Sequence, residues 1–127
     1  MDRILIVSSN DNFKKWQSLL ENINLKRFAN ENGIIITFVN DEEALKKYVN
    51  DSSLLVTDYS NIYMEFVKKV KPIIFYQIDN QKKEFGNFGK ILADEEDVVN
   101  RIIGYVNMNY KLENIYQKKR NDNIVYN

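Results

Sequence analysis

Short runs of apolar residues alternate along the chain with longer segments in which apolar residues recur every three or four positions. The runs ILIV at 4–7 and LLV at 54–56 are continuous and end in polar residues. Such runs are typical of strands buried on both faces of a parallel sheet, and the spaced segments are typical of helices with one buried face. The alternation predicts an α/β protein with a Rossmann-like open parallel sheet of about five strands and helices on both faces.

Capping residues and breakers predict where the elements begin and end. Asn40 is predicted to begin a helix with Glu43 at its capping-box position, and Asp94 is predicted to cap a later helix. A break at 22–24 separates two successive helices, and Gly33 is predicted to end the second in a left-handed conformation. The predicted strands are 4–7, 34–39, Leu54–Thr57, Ile73–Tyr76 and Lys90–Leu92.

Helical spacing also predicts which residues the helices bury. The tail, residues 110–127, is predicted to be an appended C-terminal helix, with Lys118, Lys119 and Arg120 at its solvated end. Residues 1–127 are expected to form a single domain. The predicted buried helical residues are Phe13, Trp16, Leu19, Leu20, Ile23, Leu25, Phe28, Leu45, Tyr48, Val49, Ile62, Tyr63, Phe66, Val67, Val70, Val98, Val99, Ile102, Ile103, Val106, Leu112, Ile115 and Tyr116.

Polar residues follow the predicted strands at one edge of the sheet. Ligands of parallel sheets bind outside the carboxyl ends of the strands, and a helix that starts there presents free N–H groups that favour an anion such as phosphate. Ser60 and Asn61 lie at such a helix start, where they are also ordinary helix-capping residues, and the segment alone leaves both interpretations open. The predicted substrate-binding residues are Ser60, Asn61, Thr57, Asp58, Ser8, Ser9 and Asn10.

The composition removes several kinds of chemistry. The chain has no Cys and no His, which excludes disulfides, thiolate catalysis and the commonest general base and metal ligand. The remaining bases are carboxylates such as Asp58, which are weak bases near neutral pH. The sequence contains no G-x-G-x-x-G or P-loop motif. We therefore predict no catalytic residue, no metal site and no cofactor for this chain.

Charge and hydropathy limit the partners. Eighteen basic residues balance eighteen acidic ones, so the chain has no net field to hold a nucleic acid, and we predict no nucleic-acid partner. The apolar run at 4–7 is too short for a membrane span or the core of a signal peptide. The sequence therefore predicts a cytoplasmic protein without a transmembrane segment.

Two neighbouring segments resemble a known family. LLVTDYSNIYMEF at 54–66, followed by KPIIFYQID at 71–79, is similar to the C-terminal part of the CDP-glycerol glycerophosphotransferases, the family of the teichoic acid polymerases. The similarity is clearest from residue 50 to the end and weaker over 13–39. It implies an enzyme with two Rossmann-like halves in a GT-B arrangement, which moves glycerol phosphate from CDP-glycerol to a cell-wall polymer at the cytoplasmic face of the membrane.

For this chain the resemblance implies the donor-nucleotide half, with Ser60 and Asn61 near the donor phosphates. CDP-glycerol or a related nucleotide is the expected ligand, a partner domain is expected to supply the acceptor site, and a peripheral location at the inner face of the membrane follows. The chain also departs from the family, which usually has a second Ser or Thr at position 61 and a glycine-rich stretch of which Gly86, Phe88 and Gly89 remain. Because the family's histidines are absent, we expect no transferase activity from this polypeptide alone.

A receiver-like signalling domain is the second interpretation, because an aspartate follows the third predicted strand. Asp58 would then accept the phosphoryl group, and Lys90 would be the partner cation. Receivers hold magnesium with an acidic pair after the first strand, where this chain has Ser8 and Ser9. A non-catalytic protein-interaction module is the third interpretation, and the sequence leaves it open.

Overall fold

The computed structural model describes residues 2–8, 13–58, 63–76 and 86–123, and these contain five strands and six helices. The strands are β1 (Arg3–Val7), β2 (Ile35–Val39), β3 (Leu54–Thr57), β4 (Ile73–Tyr76) and β5 (Lys90–Leu92). The helices are α1 (Phe13–Leu20), α2 (Ile23–Glu31), α3 (Glu42–Tyr48), α4 (Tyr63–Lys68), α5 (Glu95–Asn107) and α6 (Asn114–Asn123).

The strands form one parallel sheet in the order β2-β1-β3-β4-β5. Val7 of β1 pairs with Val39 on one side and with Thr57 on the other, and Thr57 pairs with Phe75. The predicted open parallel sheet is therefore confirmed. The strand order reverses between β1 and β3, and a crevice at the carboxyl ends of these two strands is the usual ligand position in such sheets.

Helices cover both faces of the sheet because alternate strand residues point to opposite sides and nearly all of them are apolar. The face covered by α1, α2 and α5 buries Ile4, Ile6, Leu54, Val56, Ile74 and Tyr76 against Trp16, Leu19, Leu25, Ala29, Val98, Val99, Ile102 and Tyr105. The face covered by α3 and α4 buries Leu5, Val7, Leu55, Ile73 and Phe75 against Leu45, Val49, Phe66, Val67 and Phe88.

The predicted break between the first two helices is confirmed at Asn22. Its side chain accepts hydrogen bonds from the backbone N–H groups of Asn24 at 3.0 Å and Leu25 at 3.1 Å, which caps α2. Its amide nitrogen donates to Glu95 Oε2 at 2.9 Å, so the same residue also fixes the start of α5. Gly33 ends this pair of helices with φ 63°, as predicted.

Replacing Asn22 with Ala should lower the free energy of unfolding by about 1–2 kcal/mol, because α2 loses its cap and its link to α5. Urea denaturation followed by circular dichroism measures the change. Asn24→Ala is the matched control, since Asn24 is exposed and contributes a backbone N–H to the cap that alanine keeps. Equal stability of the two variants would contradict the role of Asn22.

Four predicted helical details are wrong. Ile23 is 67% exposed because it is the first residue of α2 and no longer belongs to the buried stripe of α1. Val70 is 54% exposed with φ 57° because the chain has already left α4, which ends at Lys68. Ile115 is 57% exposed, since the buried face of α6 carries residues 116 and 120. The cap of α3 is Asp41, which accepts from the N–H of Glu43 at 3.1 Å, and not Asn40.

Arg120 also differs from the prediction of a solvated helix end. Lys118 is exposed, whereas Arg120 is 2% exposed and donates from Nη2 to the carbonyl oxygen of Phe88 at 2.6 Å. Burial lowers the pKa of Arg120 to about 10, and the neighbouring Glu113 opposes that shift. The C-terminal helix is therefore held against the segment that leads into β5 by a buried guanidinium group.

Candidate functional site

The carboxyl ends of β1 and β3, where the ligand crevice of such sheets lies, bring together three of the predicted site residues. Ser8 follows β1, is half-buried and donates its backbone N–H to the carbonyl oxygen of Val39 at 3.3 Å. Thr57 ends β3, and Asp58 follows it with 7% of its surface exposed. The predicted residues Ser9, Asn10, Ser60 and Asn61 lie outside the described residues.

Asp58 is connected to the hydrophobic core through Trp16. The indole Nε1 of Trp16 donates to Asp58 Oδ2 at 3.4 Å, and the indole ring packs edge-on against Tyr76 with ring centroids 5.4 Å apart. By strand alternation, Asp58 lies on the same side of the sheet as Val56, which is the side that α1 covers. The carboxylate therefore has a fixed position at the carboxyl edge of the sheet.

Lys15 places a cation at the same edge. Its ammonium group donates to the carbonyl oxygen of Tyr76, the last residue of β4, at 2.7 Å. The ammonium also lies 4.4 Å from the ring centroid of Tyr76 and 4.9 Å from that of Trp16. Burial lowers the pKa of the Lys15 ammonium, and the negative charge of Asp58 opposes that shift. Sequence reasoning missed Lys15, because it stands beside Lys14 in a helix and the sequence alone does not separate the two.

Thr57 contributes a buried hydroxyl on the opposite side of the sheet. The residue is 0% exposed, and its Oγ1 has no hydrogen-bond partner among the described residues. It lies between Val7 and Phe75 in the sheet, at the edge that faces the start of α4.

Aromatic contacts fix the beginning of α4. Tyr63, the first residue of that helix, packs edge-on against Phe75 with ring centroids 5.8 Å apart, and its ring lies tilted against that of Phe88 at 5.7 Å. The carbonyl of Phe88 is the acceptor of Arg120. The end of β4, the start of α4 and the C-terminal helix are therefore connected by direct contacts.

Lys90 lies at a different place from the one that the receiver interpretation requires. It begins β5, two residues before the carboxyl end of that strand, and lines a groove of about 500 Å³ together with Arg101, Tyr105 and Glu113. Among the described residues, Lys15 is a cation close to Asp58, because both side chains contact the indole ring of Trp16. Within the described ranges, no group of three acidic residues could hold a metal ion.

The groove beside β5 contains a compact ionic cluster. Arg101 Nη2 donates to Glu113 Oε2 at 3.0 Å, and the hydroxyl of Tyr105 donates to the same oxygen at 3.2 Å. Burial and the Glu113 carboxylate raise the pKa of the Tyr105 hydroxyl. These bonds join α5 to the start of α6, so the cluster stabilises the packing of the C-terminal helix.

The chain is similar to known proteins over most of its length. Residues 19–126 match the family described as CDP-glycerol:poly(glycerophosphate) glycerophosphotransferase. The chain belongs to this family. The resemblance stated from the TDYS and KPIIFYQID segments is therefore confirmed, and the matched region contains β2 to β5 and every helix from α2 to α6.

A curated relative supports the same family. The minor teichoic acid biosynthesis protein GgaB of Bacillus subtilis (strain 168) is 24% identical over 155 residues, which covers 91% of this chain and 17% of that protein. The chain thus spans about a sixth of the relative's length. Among the described residues, no helix of this glycerophosphotransferase-family chain is long and apolar enough to cross a membrane.

Proposed function

We propose that this chain is the donor-nucleotide-binding part of a glycerophosphotransferase-like protein of teichoic acid or related surface-polymer synthesis, with CDP-glycerol or a similar nucleotide as its ligand. Family membership over residues 19–126 supports the reaction class. The observation that carries the site is the carboxyl edge of the sheet beside the strand-order reversal, where Asp58 follows β3 and Lys15 binds the last carbonyl of β4, both in contact with Trp16. Parallel sheets bind nucleotides at this position.

Each residue of the proposed site is assigned to one part of the nucleotide. Hydroxyls and backbone N–H groups at a helix start suit phosphate oxygens, and we propose this role for Ser60 and Asn61 together with Ser8, Ser9 and Asn10. Asp58 is suited to accept a hydrogen bond from a ribose hydroxyl, because a carboxylate accepts from two directions. The hydroxyl of Thr57, which has no partner among the described residues, is available when a ligand rearranges the crevice.

The chain is proposed to bind the donor without transforming it. The sequence has no His and no Cys, so the residues that could remove a proton from an acceptor hydroxyl are carboxylates and amines. A second domain in a GT-B arrangement would supply the acceptor site and the catalytic groups. The protein would then act at the inner face of the membrane, with residues 1–127 as a single Rossmann-like domain.

Titration of the purified chain with CDP-glycerol, CDP, CMP and cytidine tests this proposal. We expect CDP-glycerol and CDP to change the fluorescence of Trp16 and the amide resonances of Ser8 and Asp58, because all three residues lie at the crevice. Asp58→Asn should weaken binding, and Asp51→Asn, in the exposed turn before β3 at the opposite edge of the sheet, should not. No response to any cytidine nucleotide would overturn the proposal, and turnover of CDP-glycerol would overturn the non-catalytic part of it.

One observation favours a receiver-like domain as a second candidate, since this strand order is shared with receivers and Asp58 follows β3. Magnesium with acetyl phosphate distinguishes the two candidates. A receiver would show magnesium-dependent shifts around Asp58 and a gain in mass of one phosphoryl group. A protein that responds to neither cytidine nucleotides nor acetyl phosphate would fit the third interpretation, an interaction module.

A further inference from the structure

We propose that Lys15 is the phosphate-binding cation of the crevice and that its ammonium group binds the diphosphate of the nucleotide donor. This inference rests on the proposed function and adds a specific residue to it. Lys15 precedes residues 19–126, the segment that matches the family, so the assignment comes from the geometry of this chain. The sequence pattern alone does not distinguish Lys15 from Lys14.

Among the described residues, the ammonium group has one hydrogen-bond acceptor. A lysine ammonium has three N–H donors, and the bond to the carbonyl oxygen of Tyr76, 2.7 Å long, uses one of them. That carbonyl belongs to the last residue of β4, so the remaining donors lie at the carboxyl edge of the sheet where anionic ligands bind. Charge-assisted hydrogen bonds to phosphate oxygens are the strongest that such a group forms.

Lys15 is also held more rigidly than a surface lysine. The rings of Trp16 and Tyr76 lie within 5 Å of its ammonium, at 4.9 and 4.4 Å, and both rings are buried in the core. Lys14, its neighbour in α1, is exposed, as expected for a lysine that serves only the solubility of a helix. A cation held in place before the ligand arrives loses less entropy when it binds.

The ammonium group of Lys15 is more accessible to solvent than the carboxylate of Asp58. Lys15 is half-buried, whereas Asp58 is 7% exposed and accepts from the indole of Trp16, so the ammonium is the more exposed of these two charges. Partial burial disfavours the charged lysine, and a bound diphosphate would restore a favourable environment for it. A residue that costs stability in the free protein and stabilises a ligand is typical of binding sites.

The test compares Lys15→Met with Lys14→Met as the matched control, using CDP, cytidine and inorganic pyrophosphate as ligands. We expect Lys15→Met to weaken CDP and pyrophosphate binding by about tenfold or more, because a charge-assisted bond is lost, and to leave cytidine binding unchanged. Lys14→Met should bind all three ligands like the wild type. Lys15→Arg should recover part of the pyrophosphate affinity, since it keeps the positive charge.

Melting temperature separates a binding role from a structural one. The Lys15→Met variant should melt at the same temperature as the wild type or higher, because removal of a half-buried charge offsets the loss of its hydrogen bond to Tyr76. Unchanged CDP and pyrophosphate binding in Lys15→Met would overturn the inference, as would a parallel loss of cytidine binding and thermal stability. If the wild type binds pyrophosphate through Lys15 and binds no cytidine nucleotide, the inference stands and the proposed donor is wrong. If the wild type binds none of the three ligands, both fail.

Discussion

Replacement of Gly89 with Ala should destabilise the protein by more than about 3 kcal/mol, the range of severe backbone and packing defects. A Cβ atom at this position would lie 2.2 Å from the carbonyl oxygen of Ile73, 3.0 Å from its carbonyl carbon and 3.3 Å from its Cβ. Gly89 immediately precedes β5 and Ile73 begins β4, so the clash is between two paired strands. Side-chain rotation cannot relieve a clash with backbone, and the strands would have to separate.

Gly104→Ala is the matched control for this prediction. Gly104 lies inside α5, and no atom lies within 4 Å of the Cβ that alanine would add. Alanine is the better helix former, so this variant should gain about 0.5–1 kcal/mol. Urea denaturation of both variants, followed by far-ultraviolet circular dichroism, gives the comparison. A Gly89→Ala variant as stable as the wild type would show that β4 and β5 do not approach each other as described.

Trp16→Ala should cost about 3–5 kcal/mol, the usual range for a fully buried large aromatic residue. Trp16 is 0% exposed and contacts Tyr76, Asp58 and Lys15. Its removal leaves a cavity in the core on one face of the sheet, and Asp58 and Lys15 lose their contacts with the indole ring. CDP should therefore stabilise the Trp16→Ala variant against thermal unfolding less than it stabilises the wild type. Thermal unfolding by circular dichroism, with and without CDP, measures both effects.

Trp16→Phe distinguishes packing from hydrogen bonding at this position. The phenyl ring keeps the edge-on contact with Tyr76 and removes the indole N–H that donates to Asp58. We expect a smaller loss of about 1–2 kcal/mol, the cost of leaving a buried acceptor without one donor together with a small cavity. A Trp16→Phe variant as unstable as Trp16→Ala would assign most of the effect to the hydrogen bond.

The sheet could be predicted from the sequence because its strands are short, apolar and bounded by polar residues. The predicted bounds of β3, β4 and β5 agree with the structure residue for residue. Helix details were harder to predict, since spacing alone does not show where a buried stripe ends. Ile23 and Val70 continue the apolar spacing of α1 and α4 in the sequence, but α1 ends at Leu20 and α4 ends at Lys68.

Thr57 and Asp58 could be placed at the crevice, because residues after a strand of a parallel sheet lie at its carboxyl edge. Lys15 and Arg120 could not, because their burial depends on distant partners. Tyr76 is 61 positions away from Lys15, and Phe88 is 32 positions away from Arg120. In runs such as KKW and KKR, the local sequence does not show which charged side chain is solvated and which is buried.

The position of β1 has a practical consequence for protein production. The match to the family begins at residue 19, after β1 has ended at Val7. Every hydrogen-bonded connection between β2 and the rest of the sheet runs through β1, which pairs with β2 on one side and β3 on the other. An expression fragment trimmed to the matched residues would lack β1, and the edges of β2 and β3 that pair with it would have no hydrogen-bond partner. Such a fragment is expected to aggregate or to capture a foreign strand, and fragments for study should begin upstream of Arg3.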